Sequence, residues 1–143
     1  MATAPAATGP AGTPAGTGGV SVRTLGLAVL VLVIAEIALG AVLDSVTYTN
    51  LLVGVHVTIA LLLVVVTAGA TVVAFRAGAP RPRVAGAVSL VSALGATAAG
   101  TVYLLGSQSL AALDAMAGLA LPLLIGGILM IVWGTATRPS APA

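Results

Sequence analysis

Cysteine and lysine are absent from this chain of 143 residues, and only 6% of its residues are charged. The lack of cysteine excludes disulfides, thiolate metal sites and thiol redox chemistry. The shortage of charge excludes a soluble globular domain, because such domains carry roughly 25% charged residues. With only five basic residues in the chain, we expect no nucleic-acid partner.

Hydrophobic residues make up 59% of the chain and are concentrated in four runs. A run of about 20 apolar residues is long enough to cross a bilayer. The runs are Val22–Leu43, Leu51–Phe75, Val84–Leu105 and Leu110–Gly134. Because the joins are short, consecutive helices should be antiparallel, and the sequence predicts an all-α, integral membrane, up-down four-helix bundle over residues 21–136.

The two ends of the chain have a different composition from the spans. Residues 1–20 consist mainly of Ala, Thr, Gly and Pro, have no hydrophobic periodicity, and predict a disordered tail. Residues 137–143 form a second short tail. With four spans, both tails lie on the same side of the membrane.

The basic residues predict the orientation in the membrane. All five would lie on one side of a four-span protein: Arg23, Arg76, Arg81, Arg83 and Arg138. By the positive-inside rule, the N- and C-termini and the middle loop should be cytoplasmic. A composition rich in Ala, Gly and Val, with Arg in place of Lys, is typical of a GC-rich genome. We therefore expect a multi-pass protein of a prokaryotic cell membrane.

Three ionisable side chains lie at least four residues inside the ends of the predicted spans. A carboxylate at mid-bilayer costs about 3 kcal/mol on insertion scales. Glu36 is therefore either a proton relay or ligand contact, or a carboxyl group hydrogen-bonded to a neighbouring helix. Asp114 lies about one turn into the fourth span, where it can reach headgroup water. His56 is the only histidine, and it either serves a metal, a haem iron or a proton path, or is a neutral imidazole bonded within the bundle.

His56 and Met116 are expected at the same depth. His56 follows Asn50 by six residues, which places it about 9 Å below the end of the second helix. Met116 follows Ser109 by seven residues, about 10 Å below the matching end of the fourth helix. Met116 is otherwise an apolar filler, the usual role of methionine in a core.

A shift of 60 residues places the first two spans over the last two without a gap. Gly40 then falls on Gly100 and His56 on Met116. The identities are about as many as chance gives, so the repeat depends on the matched span lengths and register. It suggests two tandem helix pairs, 22–75 and 84–134, with His56 and Met116 facing one cavity. Haem iron takes axial ligands from opposite sides, and His/Met is a known pair. The leading prediction is a haem-b-binding electron-transfer protein.

Short motifs support a resemblance to a known family. The first span ends IALGAVLD over Ile37–Asp44, His56 is followed by a long aliphatic run, and the third span ends with AGTV over Ala99–Val102. This pattern resembles one four-helix half of the heme A synthase family. The resemblance implies haem-ligating residues on the second and fourth helices, near the outer face, and oxidation of haem O.

The chain departs from that family in several places. Met116 stands where the family has its fourth-helix histidine, and Val57 stands where an arginine usually follows the second-helix histidine. Gly54 and Val55 stand where an acidic residue is expected, and the family's outer-loop cysteine pair is missing. These departures favour a simple haem carrier over the oxidising enzyme.

Three alternatives stay open. One is a compact heme A synthase-like oxidoreductase acting on haem O, with haem O or A as its cofactor. Another is a cofactor-free accessory subunit of a respiratory or transport complex. The third is a proton-coupled carrier that uses Glu36 and Asp114. Glycine and alanine faces in the spans favour close helix association, so we expect a homo-oligomer or a larger complex in the bilayer.

Overall fold

The computed structural model describes residues 20–45, 50–106 and 109–134, and within these ranges the chain forms four α-helices. They are α1 (Val22–Ser45), α2 (Asn50–Arg76), α3 (Pro80–Leu105) and α4 (Leu110–Gly134). Each is long and apolar enough to cross a membrane. The predicted all-α, multi-pass membrane bundle is therefore confirmed. The predicted tails lie outside the described residues, except for Val20.

The connection between α2 and α3 is shorter than the sequence predicted. We expected the third span to begin at Val84, whereas α3 begins at Pro80. Proline is favoured at the start of a helix, where its missing N–H would have no partner. Gly78 adopts a φ of 83° just after α2, a left-handed conformation that glycine allows at a helix end. Arg83 lies over the Phe75 ring, 5.7 Å from its centroid, across this turn.

The helices are arranged in a ring in chain order. α1 packs against α2 and α4, and α3 packs against the same two helices, so α2 and α4 are diagonally opposed. Gly134 at the end of α4 lies against Arg23 at the start of α1. The starts of α1 and α3 and the ends of α2 and α4 therefore share one end of the bundle. We call it the arginine end, because Arg23, Arg76, Arg81 and Arg83 lie there.

Each helix turns a stripe of residues toward the bundle axis, with spacings that alternate between three and four. This spacing is typical of left-handed helix packing in coiled coils and membrane bundles. On α1 the stripe includes Val29 and Val33, and its continuation away from the arginine end reaches Glu36 and Gly40. On α2 the same continuation reaches His56. Helical periodicity therefore brings both polar side chains to the inner face of the bundle.

Glycines allow the helices to approach closely near the arginine end. A methyl group at Gly26 of α1 would lie only 2.8 Å from Cβ of Met130 on α4. A methyl group at Gly86 of α3 would lie 3.1 Å from Cα of Thr71 on α2. The Thr71 hydroxyl donates a hydrogen bond across this contact to the Gly86 carbonyl, at 2.8 Å. Small residues are the usual means of close helix packing in lipid.

Gly26→Ala is expected to destabilise the bundle. The new methyl group overlaps Met130 and also approaches the Gly127 carbonyl at 3.1 Å. Overpacking of this kind costs about 1–3 kcal/mol. Gly69→Ala is the matched control, because nothing lies within 4 Å of its added methyl group. Thermal unfolding in detergent should give a lower Tm for Gly26→Ala and an unchanged or higher Tm for Gly69→Ala. Equal Tm values for the two variants would contradict the close α1–α4 contact.

Candidate functional site

The half of the bundle away from the arginine end contains a cavity of about 710 Å³ between the four helices. This volume lies within the range of roughly 300–1,000 Å³ that is usual for small-molecule sites. The space exists because small residues occupy the inward-facing positions in this half. They are Gly40, Ala60, Ala96, Gly100 and Ala120. The wall is mainly apolar, so the few polar groups on it define the chemistry of the site.

Glu36 and His56 form an acid–imidazole pair on the cavity wall. Nδ1 of His56 lies 2.6 Å from Oε2 of Glu36, joining α2 to α1. The His56 side chain is 27% exposed and the Glu36 side chain is 13% exposed. The contact does not have hydrogen-bond geometry, since neither carboxyl oxygen of Glu36 nor Nδ1 of His56 has a hydrogen-bond partner among the described residues. Glu36 therefore contacts a neighbouring helix at His56, without the hydrogen bond that one explanation of this residue required.

The sequence contained a signal for this pair. Glu36 lies nine residues before the end of α1, at about 13.5 Å of helix rise, and His56 lies about 9 Å from the start of α2. The difference of about 4.5 Å is within the reach of the two side chains. Counting depth on all four helices, and not only on the second and fourth, would have placed Glu36 at nearly the same depth as His56.

The pair brings together the two groups that often support a metal-binding histidine. Histidines that bind metals usually donate their second ring N–H to a carboxylate or carbonyl, which fixes the ring and raises its basicity as a ligand. Here Oε2 of Glu36 lies 2.6 Å from Nδ1 of His56. Nε2 is then the ring atom that could bind an iron or donate to a ligand.

Met116 lines the same cavity from α4, the helix diagonally opposite α2. Its Sδ atom lies 3.1 Å from the position that a methyl group would occupy at Gly100 on α3. Glycine at position 100 therefore makes room for the thioether against the backbone of α3. The structure brings His56 and Met116 to one cavity, as the depth count predicted. The packing of Met116 against Gly100 is also what we would expect if this methionine only filled space in the core, which was the alternative explanation for it.

Asp114 is not part of this site. Its side chain is exposed on α4, and it does not line the cavity. In the described part of the chain, no three His, Asp or Glu side chains come together as a metal-binding cluster. The site that the structure assembles consists of Glu36, His56 and Met116 around an apolar space.

The cavity is built symmetrically from the two halves of the chain. Twelve residues of α1 and α2 line it, and for each of them the residue 60 positions later also lines it. The pairs include Glu36 with Ala96, Gly40 with Gly100, His56 with Met116 and Leu63 with Leu123.

Helix contacts outside the cavity follow the same 60-residue shift. Gly26 of α1 approaches Ile131 of α4, and Gly86 of α3 approaches Thr71 of α2. Gly86 is the counterpart of Gly26 under the shift, and Ile131 is the counterpart of Thr71. The ring of helices is compatible with a two-fold axis along the bundle, which would exchange α1 with α3 and α2 with α4. These matches support the tandem arrangement in a way that sequence identity did not.

Fold and site together define a small four-helix membrane protein with a cavity inside the bundle. No protein-family model matches the chain, and comparison with curated proteins and with solved structures found no similar protein. The resemblance to heme A synthases therefore depends on the residues described above alone.

Proposed function

We propose that this chain is a membrane haem-b-binding protein that transfers electrons, with the iron held between His56 and Met116. One observation carries the proposal. A carboxylate holds Nδ1 of the only histidine on the wall of a cavity of about 710 Å³, and a methionine faces that cavity from the opposite helix. His/Met ligation is found in cytochromes and raises the haem potential.

The residues present fit such a group. The wall is mainly apolar and contains small side chains on all four helices, as a flat hydrophobic macrocycle requires. Glu36 supplies the supporting contact that ligating histidines usually have. When bound there, haem would supply reversible one-electron chemistry. The described arginines lie at the other end of the bundle, so haem propionates would have to be hydrated or contact uncharged polar groups.

A heme A synthase-like oxidase acting on haem O is a second candidate, and one observation favours it. That family is expected to have an acidic residue close before its second-helix histidine, and Gly54 and Val55 stand there in this chain. Glu36 supplies a carboxylate to the imidazole from α1. Met116 in place of a histidine still favours the electron carrier.

We further propose the orientation and setting of the protein. The arginine end is cytoplasmic, by the positive-inside rule, in the cell membrane of a prokaryote. The protein forms a homo-oligomer or part of a larger complex, because Gly and Ala on helix surfaces favour close helix contacts in lipid. Labelling of single cysteines introduced at the two ends of the bundle would test the orientation, since the chain has no cysteine of its own.

The function is tested by purifying the full chain from haem-replete cells in a mild detergent. We expect a red protein with a Soret band and about one extractable haem b per chain. Extraction of haem O or haem A would support the oxidase in place of the carrier. A colourless protein that is folded, as judged by circular dichroism and thermal unfolding, would overturn both and favour the accessory subunit.

A further inference from the structure

The two halves of the cavity differ at the positions that support the proposed ligands. The 60-residue shift pairs His56 with Met116 and Glu36 with Ala96. His56 is held by a carboxylate at 2.6 Å. At the corresponding place beside Met116 there is only the methyl group of Ala96. The imidazole is therefore anchored by a polar contact that has no counterpart on the thioether side.

The two halves of the cavity wall also differ in side-chain size. Ala93, Ala96 and Ala117 are smaller than their counterparts Val33, Glu36 and Val57. At three other pairs the Met116 half has the larger side chain: Ala41 with Thr101, Leu43 with Tyr103, and Val53 with Leu113. Methionine is flexible, with three rotatable side-chain bonds. Its contact with Gly100 is one that the thioether can leave without breaking a hydrogen bond. Local space at three alanines and a flexible side chain at residue 116 therefore occur in the same half of the site.

Hydroxyl groups on this wall are already engaged. The Thr97 hydroxyl donates to the Ala93 carbonyl at 2.9 Å, and the Thr101 hydroxyl donates to the Thr97 carbonyl at 2.9 Å. Bound oxygen is stabilised by hydrogen-bond donors in the distal pocket, whereas carbon monoxide needs little such help. The chemistry of the Met116 side therefore favours a small, neutral, weakly polar ligand.

We propose that, when haem is bound, His56 would be the fixed ligand and Met116 the exchangeable one, which would give way to a diatomic ligand of the carbon monoxide class. This inference rests on the proposed haem binding. Met116 then competes with the external ligand, so the apparent affinity is lowered by the fraction of molecules in which the thioether is bound. On reduced haem, this exchange would replace one iron–sulfur bond with one iron–carbon bond, with no change of oxidation state.

The test is titration of the reduced, haem-loaded full chain with carbon monoxide, followed by the Soret band. We expect the wild type to bind the ligand, and Met116→Leu to bind it about tenfold more tightly, because the competing thioether is gone. A further variant narrows the wall, and Gly69→Ala is its control, because residue 69 does not line the cavity and nothing lies within 4 Å of its added methyl group. Among haem-loaded chains, Ala120→Val should weaken binding by about tenfold, and Gly69→Ala should leave it unchanged.

Several outcomes would overturn this inference without touching haem binding. They are a red protein that does not respond to carbon monoxide, equal affinities for the wild type and Met116→Leu, and equal effects of Ala120→Val and Gly69→Ala. Purification of a folded protein without haem would instead contradict the proposed function, and the inference that rests on it.

Discussion

Replacing His56 with alanine is expected to remove haem from the purified protein. The imidazole is the strongest haem ligand among the side chains of this protein, since the sequence contains no second histidine, no lysine and no cysteine. Loss of a group that merely supports a ligand costs about 10–100-fold in metal affinity, so loss of the ligand itself should cost more. Haem content per chain and the Soret absorbance measure the effect.

Glu36→Gln is a milder change in the same site, and we expect it to have a smaller effect on haem binding than His56→Ala. The amide keeps the size of the side chain and replaces the carboxyl group that contacts Nδ1 of His56. We expect haem affinity to fall by about 10–100-fold, with some haem retained at high haem concentration. Asp114→Asn is the matched control, because this carboxylate is exposed on α4 and lies outside the cavity. Full haem content in His56→Ala, or equal losses in Glu36→Gln and Asp114→Asn, would contradict the site.

Met116→His is expected to convert the site to two imidazole ligands and to lower the reduction potential. Thioether ligation raises the potential of a haem relative to a second histidine. Differences in axial ligands change haem reduction potentials over a range of about 0.8 V. The decrease in Met116→His should therefore be large enough to measure. Potentiometric titration of both proteins, monitored in the visible spectrum, measures the shift.

The position of Met116 makes this substitution a test of symmetry as well. It corresponds to His56 under the 60-residue shift, so a histidine there should face the same iron from the opposite helix. Ala96→Glu in the same chain would supply the carboxylate partner that His56 already has. An unchanged potential in Met116→His, with haem still bound, would show that residue 116 is not a ligand.

The sequence was sufficient for the fold because lipid leaves few choices. Apolar runs of span length and short joins predict an up-down bundle, and α1, α2 and α4 begin or end within two residues of the predicted limits. The early start of α3 was missed because two prolines were read as a loop. Pro80 begins the helix and Pro82 lies in its first turn, where an N–H has no helical partner to lose.

The candidate site was only partly predictable from the sequence. The depth count brought His56 and Met116 together because both helices run in the same direction from the same end of the bundle. The contact of Glu36 with His56 depends on how α1 and α2 are rotated about their axes, which hydropathy alone does not give. The inward stripe, read from helical spacing, contains that information and places both residues on the inner face.

The tandem repeat shows why geometry was needed. Most residues in the spans are Ala, Val, Leu and Gly, so identities between the two halves carry little weight. The cavity lining and the glycine contacts at Gly26 and Gly86 depend on position and not on residue type. Both follow the same 60-residue shift, which gives the repeat a physical basis.

The central claim is that one iron is shared by His56 and Met116 across the cavity. Near-infrared magnetic circular dichroism of the ferric protein tests it most directly, because iron–thioether ligation gives a charge-transfer band in that region. We expect this band in the wild type, and its loss in Met116→Leu with the Soret band retained. Bis-imidazole ligation in the wild type, or a band that persists in Met116→Leu, would contradict the claim.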